Sequence, residues 1–323
     1  MRSFKLLRTI HFVLVAAVCP FVFLACAGCD DDPLRPVSNL PACWKPLVAD
    51  TARMGDTTGD TPIIPEPTTS TAQFGPAWSH SGAEVAYFSY YDSCNNRDPG
   101  IYVANAEVGA RRRKLPVFGA FFKWMPGDTE LMVNTGFGGG GELVIYNLLS
   151  DSITPLGIQT RFPIFDISDD GRYIYYEGEP APQHQSASIY EYDLETGAEW
   201  AVVAGAGPAI SPDGNLLAYS FGTFRVYNFS DSSITELPGG GIADWTPDGQ
   251  NIVYADGIGK IFISDLLGNL REITGQHDLF GAFGPISVSP DNTTILYKHA
   301  SMDYFEHIWK IQIDGASAVQ FAQ

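Results

Sequence analysis

The sequence predicts an all-β protein, and three observations support this fold class. No segment shows the sustained apolar periodicity of an amphipathic helix. Glycine (33 residues) and proline (22 residues) are abundant, as expected for a chain with many tight turns. Aromatic residues make up 13% of the chain, and their rings suit half-buried pleated surfaces. The elements that follow along the chain specify this fold further.

Residues 1–28 are predicted to be an export signal outside the fold. Arg2, Lys5 and Arg8 form a positive segment, and an apolar stretch follows over residues 10–24. This stretch is shorter than the roughly 20 apolar residues that cross a bilayer as a helix. It has the length and flanks of a secretory signal peptide.

The segment Ala27-Gly28-Cys29 resembles the cleavage site of bacterial lipoproteins, in which small residues precede the cysteine that is lipidated. The resemblance implies a lipid anchor on Cys29, although Cys26 is a competing acceptor and plain secretion without a lipid is an alternative. Lipidation at Cys29 leaves an even pair of cysteines, Cys43 and Cys94, which suits an oxidising compartment. A Cys43–Cys94 disulfide is possible, but sequence alone does not place the two residues within bridging range.

Residues 29–72 are rich in proline, threonine and aspartate and are predicted to be a semi-extended tether. Residues 73–323 then repeat one motif six times. Its clearest copy ends a strand at Trp245, turns through Thr-Pro-Asp-Gly and begins a second strand at Ile252. We call the last residue of each such first strand the anchor, and the six anchors are Trp78, Trp124, Ile167, Ile210, Trp245 and Val288.

The anchors are 46, 43, 43, 35 and 43 residues apart. Four residues after each anchor lies a residue type that tolerates turn conformations, with Asp128 and Asn292 in place of glycine. Nine residues after each anchor lies tyrosine, except at Val133. Two further short strands complete each unit, and the fourth strand of blade 5 is predicted at residues 272–274. Four antiparallel strands repeated in this way predict a six-bladed β-propeller.

The predicted blades are approximately 73–116, 117–158, 159–204, 205–238, 239–276 and 277–323. The ring either closes without a swapped strand or takes a strand from the chain around Phe74 or Trp44. Residues 210–219 and 245–249 resemble the WD-repeat-like unit of TolB-type propellers, and the resemblance extends over all six units. It implies this fold and a periplasmic or surface setting, in proteins that often serve interactions, and it leaves the activity open.

Composition and motifs exclude several function classes. The formal charge of −18 disfavours a nucleic-acid partner. The chain has no Gly-x-Ser-x-Gly nucleophile motif, and residues 136–141 precede a predicted strand rather than the helix that a phosphate-binding loop needs. We therefore predict no catalytic residues and no cofactor, and we interpret residues 136–141 as a hairpin loop.

The sequence contains no clustered metal ligands and one strongly basic run. No His-x-x-x-His pair or His/carboxylate cluster occurs, so no metal site is predicted, although His299 and His307 flank one loop and are able to approach each other. Residues 111–114 form a basic run, expected in the turn before the fourth strand of blade 1. This run is either an anchor for acidic groups or a solvated turn.

The residue before each anchor is polar in four blades. Strand alternation places these residues on the face opposite to their apolar neighbours, near the central tunnel if the first strand is innermost. This polar ring is predicted to bind a small ion, a peptide end or a sugar, or alternatively to contain a lysine and an aspartate that satisfy each other between blades. Its members are Lys123, Asp166, Asp244 and Ser287.

Together these features predict a non-enzymatic, lipid-anchored propeller that binds a protein or polysaccharide of the bacterial cell envelope. We expect a monomer attached to a membrane and facing the periplasm or the cell surface, with the choice of membrane left open. The alternatives are a carbohydrate-active lyase or hydrolase with carboxylates at the tunnel mouth, and a sensor of a small ligand or metal.

Overall fold

The fold is described from a computed structural model, which covers residues 73–89, 99–107, 111–119, 121–136, 139–184, 186–256, 260–274, 284–300 and 306–321. The predicted signal peptide and tether lie outside the described residues. So do Cys29, Cys43 and Cys94, on which the lipidation and disulfide predictions depend.

The chain forms six sheets, each of four antiparallel strands in sequence order. The strands of blade 1 are β1 (Gln73–Trp78), β2 (Glu84–Ser89), β3 (Gly100–Asn105) and β4 (Arg111–Lys114). Those of blade 2 are β5 (Phe121–Trp124), β6 (Glu130–Asn134), β7 (Glu142–Asn147) and β8 (Ser152–Gln159). Those of blade 3 are β9 (Phe165–Ile167), β10 (Tyr173–Gly178), β11 (Ser188–Asp193) and β12 (Glu199–Ala204).

The second half of the chain repeats this arrangement. The strands of blade 4 are β13 (Ala206–Ile210), β14 (Leu216–Phe221), β15 (Thr223–Asn228) and β16 (Ile234–Leu237). Those of blade 5 are β17 (Ile242–Trp245), β18 (Asn251–Ala255), β19 (Ile261–Asp265) and β20 (Leu270–Glu272). Those of blade 6 are β21 (Ser287–Val288), β22 (Thr294–Ala300), β23 (Glu306–Gln312) and β24 (Ala318–Gln320).

The first strands of successive blades contact one another and close a ring. β1 contacts β5, β5 contacts β9, and the series continues through β13, β17 and β21 back to β1. Within the described residues each sheet has four strands from one continuous stretch of chain, so the ring closes without a swapped strand. Phe74 lies in β1, whereas Trp44 is outside the described residues. The predicted six-bladed β-propeller is confirmed.

The turn after each anchor explains why six different sequences adopt one conformation. The residue four positions after the anchor has a positive φ in every blade, between 56° at Asp128 and 73° at Gly171. Asn292, with φ 59°, occupies this position in blade 6. Asparagine and aspartate tolerate this region better than other side chains, so both departures from glycine preserve the turn.

The repeated tyrosines form the core between blades. Tyr87, Tyr219, Tyr254 and Tyr297 are almost completely buried. The ring of Tyr254 stacks on Phe224 of the preceding blade, with 5.3 Å between the ring centroids. Each tyrosine therefore packs its own second strand and, as Tyr254 does, the neighbouring blade.

Two strand positions differ from the sequence expectations. The basic run Arg111–Lys114 is β4 itself rather than the turn before it. The fourth strand of blade 5 is Leu270–Glu272, two residues earlier than expected from Glu272 to Thr274. In blade 5 the Asp265 carboxylate accepts backbone N–H groups of Leu267 and Asn269 at 2.9 Å, which tightens the hairpin and brings β20 forward.

Candidate functional site: the central tunnel

The six first strands surround a central cavity of about 310 Å³. It is lined from every blade, by residues that include Ala77, Lys123, Asp166, Pro208, Asp244 and Ser287. We call the side on which the turns after the anchors lie the turn face, and the opposite side, with the connections between blades, the loop face. The tunnel extends from the turn face to the loop face, because its lining includes His80 from the former and Phe121 from the latter.

The four predicted polar ring residues all line this cavity. The structure brings Lys123, Asp166 and Asp244 together: the Lys123 ammonium Nζ lies 2.7 Å from Asp166 Oδ1 and 3.5 Å from Asp244 Oδ1. Ser287 belongs to the same ring but not to this cluster. Because blades 2 and 5 are opposite each other in a six-membered ring, Lys123 reaches across the tunnel to Asp244.

The acidic and hydroxyl members of the ring also bind the next blade. Asp166 Oδ2 accepts the backbone N–H of Ile210 at 2.8 Å, and Asp244 Oδ2 accepts that of Val288 at 2.8 Å. Ser287 Oγ accepts the backbone N–H of Trp78 at 3.1 Å. In each case the acceptor lies before one anchor and the donor is the anchor of the following blade. The ring therefore ties blade 3 to 4, blade 5 to 6 and blade 6 to 1.

Where the ring position is alanine, a tryptophan makes the tie instead. Trp124 Nε1 donates to the Ala77 carbonyl oxygen at 3.1 Å, and Trp245 Nε1 donates to that of Ala209 at 2.9 Å. The remaining junction, between blades 2 and 3, contains the Lys123–Asp166 ion pair. Each of the six blade junctions thus contains a polar contact that involves the residue before an anchor.

The electrostatics of the cluster follow from two carboxylates sharing one ammonium. Side-chain exposure is 7% for Asp166, 19% for Asp244 and 34% for Lys123. Burial works to lower the pKa of Lys123, but its attraction to Asp166 and Asp244 outweighs this effect and raises the pKa above its usual range. Burial raises the pKa of Asp244, with Lys123 opposing and Asp166 adding to the rise. This excess of negative charge favours cationic or hydrogen-bond-donating ligands over anions.

Replacing Lys123 with methionine is expected to lower the free energy of unfolding by about 2 kcal/mol at neutral pH. This is less than the 3–5 kcal/mol typical of breaking a fully buried pair, because Lys123 is 34% exposed. The folded variant binds a proton on Asp244 more readily than the unfolded chain, so its stability rises as the pH falls from 7 towards 5. Urea unfolding at several pH values measures this. Equal losses at every pH, or no relief from adding Asp244→Asn, contradict the expectation.

Sequence reasoning missed a second polar group at the turn mouth of the tunnel. Asp128 Oδ1 accepts the backbone N–H of His80 at 2.7 Å and lies 3.2 Å from His80 Nδ1. Partial burial opposes the effect, but hydrogen bonds from Ser81 and His80 lower the pKa of Asp128. Asp169 lines the same mouth, and partial burial raises its pKa although His80 opposes this.

A comparison of the repeats contains the signal for this group. The second residue after the anchor is proline in blades 2, 4, 5 and 6, whereas blades 1 and 3 carry His80 and Asp169. Proline suits this turn position, so these two departures are not required by the fold. They concentrate acid–base groups at one side of the turn mouth.

The two faces of the propeller differ in chemistry. The loop face exposes aromatic side chains: Phe118 is 44% exposed, Phe162 is 42% exposed and Phe221 is 40% exposed. Phe121 and Ile164 line the tunnel mouth on the same face. The turn face instead carries at least one aspartate in each of five turns, at Asp128, Asp170, Asp213, Asp248 and Asp291. The loop face therefore exposes aromatic rings, whereas the turn face combines these aspartates with exposed leucines such as Leu267.

The other candidate residues have local partners. The Arg113 guanidinium bonds to Tyr146 Oη at 3.0 Å and also to the Leu148 carbonyl oxygen and the Asp151 carboxylate of blade 2. This side chain therefore joins two blades. Nothing is described for the side chains of residues 111 and 112.

The glycine-rich segment and the two histidines lie as their sequence positions suggested. The described part of residues 136–141 connects β6 to β7, and a Cβ at Gly140 would collide with the Thr160 carbonyl oxygen. This hairpin loop is confirmed. His299 and His307 are directly opposite each other on β22 and β23, so the strand register brings the two residues together.

Neither a protein-family model nor a curated protein matches this chain. Among solved structures, the chain resembles TolB from Acinetobacter baumannii, with 20% identity, a TM-score of 0.52, and coverage of 62% of this chain and 53% of that one. It thus spans about half the length of that TolB. A putative TolB from Agrobacterium tumefaciens has 18% identity, a TM-score of 0.55, and coverage of 68% and 86%, respectively. An oligogalacturonate lyase in complex with manganese has 12% identity, a TM-score of 0.50, and coverage of 78% of both chains.

Proposed function

We propose that this protein is a non-enzymatic interaction module of the bacterial cell envelope that docks a protein partner on its loop face. The TolB-like six-bladed fold supports a role in protein interaction. The observation that carries the proposal is that three aromatic residues in separate connections, Phe118, Phe162 and Phe221, are exposed on the loop face. Exposed apolar groups of this kind mark binding surfaces on otherwise polar proteins.

The rigid architecture suits such a role. Hydrogen bonds and one ion pair at the tunnel fix every blade junction, so the connections of the loop face project from a fixed frame. A preorganised surface binds with a smaller entropic cost than a flexible one. The tunnel carboxylates Asp166 and Asp244 are engaged in contacts between blades, and this supports a structural rather than a catalytic role for them.

The proposed cellular location is based on the sequence predictions. Lipidation at Cys29 and a tether over residues 29–72 would hold the propeller away from a membrane surface and expose both faces. The partner would be an envelope protein with an apolar segment, and the propeller would act as a monomer. Within the described residues, no helix has the length and apolar character needed to cross a membrane.

A second candidate is a carbohydrate-active lyase or hydrolase. His80 lies at the turn mouth, pairs with Asp128 and interacts electrostatically with Asp169, and this favours such an enzyme, because these reactions use paired acid and base groups. The excess negative charge of the same mouth disfavours anionic polysaccharides and restricts this candidate to neutral glycans. Turnover of a neutral glycan that is lost in Asp169→Asn would support it over the interaction module.

The docking proposal is tested by replacing an exposed apolar residue on each face. Phe162→Asp is expected to weaken capture of the envelope partner by about tenfold or more, since apolar anchors dominate interface energies. The matched control is Leu267→Asp in the β19–β20 hairpin of the turn face, where Leu267 is 88% exposed. Pull-downs from envelope extracts with both variants decide the matter. Equal capture of the partner by Phe162→Asp and by the wild type would contradict the proposal.

A further inference from the structure

A pair of histidines lies on blade 6, away from the tunnel. His299 on β22 and His307 on β23 are directly opposite each other in an antiparallel register. Side chains at such positions share one face of the sheet, with Cβ atoms about 4.5–5.5 Å apart. Both residues are half-buried. The sheet therefore presents two imidazoles side by side on a rigid ladder.

The propeller repeat does not require histidine at this position. The residue eleven positions after the anchor is Ser89, Thr135, Gly178, Phe221 and Asp256 in the first five blades. The cross-strand partners known for three of these are Gly100, Ser188 and Thr223. None of these residues or of their named partners is a histidine, and none of the named pairs consists of two aromatic residues. The doubled histidine is thus a feature of blade 6 alone and not part of the blade framework.

We propose that His299 and His307 together bind a divalent transition-metal ion of the copper, nickel and zinc group. Neutral imidazole is the commonest side-chain ligand for these ions. Two imidazoles fixed on adjacent strands chelate one ion without reorganising the backbone. Among divalent ions, copper binds such nitrogen sites most tightly, so Cu²⁺ is the preferred occupant.

The surroundings of the pair suit a metal-bound imidazole. The His299 ring lies 5.3 Å from the Trp309 ring and 6.3 Å from the Tyr297 ring, measured between centroids. These two aromatic residues are themselves cross-strand partners and pack in the core of blade 6. They limit the movement of the His299 ring and give the site an apolar floor on one side.

The site holds an exchangeable ion rather than a structural one. Among the described residues, no group of three or more histidine, cysteine or carboxylate side chains is arranged to hold a metal. Two protein ligands leave further coordination positions to water, whereas structural zinc sites have four protein ligands. An ion bound in this way links β22 to β23 and stabilises the folded state by mass action.

The test is a titration of the full chain with Cu²⁺, followed by calorimetry and tryptophan fluorescence. We expect one equivalent to bind and to quench the emission of Trp309, because its ring is within 5.3 Å of His299. Acidification is expected to abolish binding, since protonated imidazole has no lone pair for the metal. Trp309→Phe should remove the quenching and leave the calorimetric binding intact.

Variants at the histidines decide whether the pair is the site. His299→Gln and His307→Gln are each expected to weaken Cu²⁺ binding by about tenfold or more. The double variant should no longer bind the one equivalent of Cu²⁺ that the wild type binds. The matched control is His184→Gln, which removes a single histidine bonded to Ser188 in blade 3 and should bind as the wild type does. Melting curves without metal confirm that the variants fold. Wild-type affinity in His299→Gln or His307→Gln, or a loss in His184→Gln, overturns the proposal.

Discussion

Replacing Asp166 with alanine is expected to lower the free energy of unfolding by about 3 kcal/mol, because it leaves a buried N–H without an acceptor and breaks the shorter contact of a partly exposed ion pair. The change removes the acceptor of the Ile210 backbone N–H and the closer carboxylate of Lys123 at once. The Ile210 N–H then remains buried without an acceptor, and Lys123 keeps only the more distant carboxylate of Asp244, at 3.5 Å. Total stabilities are about 5–15 kcal/mol, so this loss is a large share.

Chemical denaturation measures the effect, and Asp166→Asn is the control. Asparagine retains an acceptor for Ile210 and loses only the charge, so its cost should be clearly smaller than that of alanine. Amide hydrogen exchange adds a local readout, because the Ile210 N–H should lose protection in Asp166→Ala. A change within about 0.5 kcal/mol, as at ordinary surface positions, would show that the polar ring does not hold the blades together.

Replacing Trp245 with alanine is also expected to cost about 3–5 kcal/mol, since it removes a large buried side chain. The hydrogen bond of the indole to the Ala209 carbonyl oxygen is a separable part of this cost. Trp78 provides a matched comparison, because its buried Nε1 has no hydrogen-bond partner within the described residues. Trp245→Phe should therefore cost about 1 kcal/mol more than Trp78→Phe.

Urea unfolding of these variants measures the difference directly. Trp124→Phe is expected to lose about as much stability as Trp245→Phe, because Trp124 Nε1 donates a hydrogen bond to the Ala77 carbonyl oxygen. If all three phenylalanine variants lose equal stability, the indole hydrogen bonds contribute nothing beyond packing. The hydrogen bonds that the indoles make between blades would then have no role in holding the ring together.

The repeat made the fold predictable from sequence, because turn chemistry and strand periodicity agree in every unit. Its two irregular turns, at Asp128 and Asn292, weakened the match to the repeat. The structure gives each a role: Asp128 accepts the backbone N–H of His80, and Asn292 Nδ2 donates to Asp248 Oδ2 at 3.1 Å. Both side chains join their blade to the preceding one. At the turn position that is glycine in the other blades, a side chain thus indicates a contact with the preceding blade.

The site was predictable only in part. Alternation along the first strand placed Lys123, Asp166, Asp244 and Ser287 at the tunnel, since that pattern depends on local geometry. Which of them meet depends on blade order around the ring and on side-chain length. Lys123 therefore reaches Asp244 across the tunnel, a contact between residues 121 positions apart. Ser287, with a short side chain, reaches only the Trp78 backbone.

Docking on the loop face is tested most directly by photo-crosslinking in living cells. A photoreactive phenylalanine analogue at position 162 should give one discrete crosslinked product with an envelope protein. The same analogue at position 267, on the turn face, should give none. Discrete products from position 267 with none from position 162 would contradict the account and move the docking surface to the turn face.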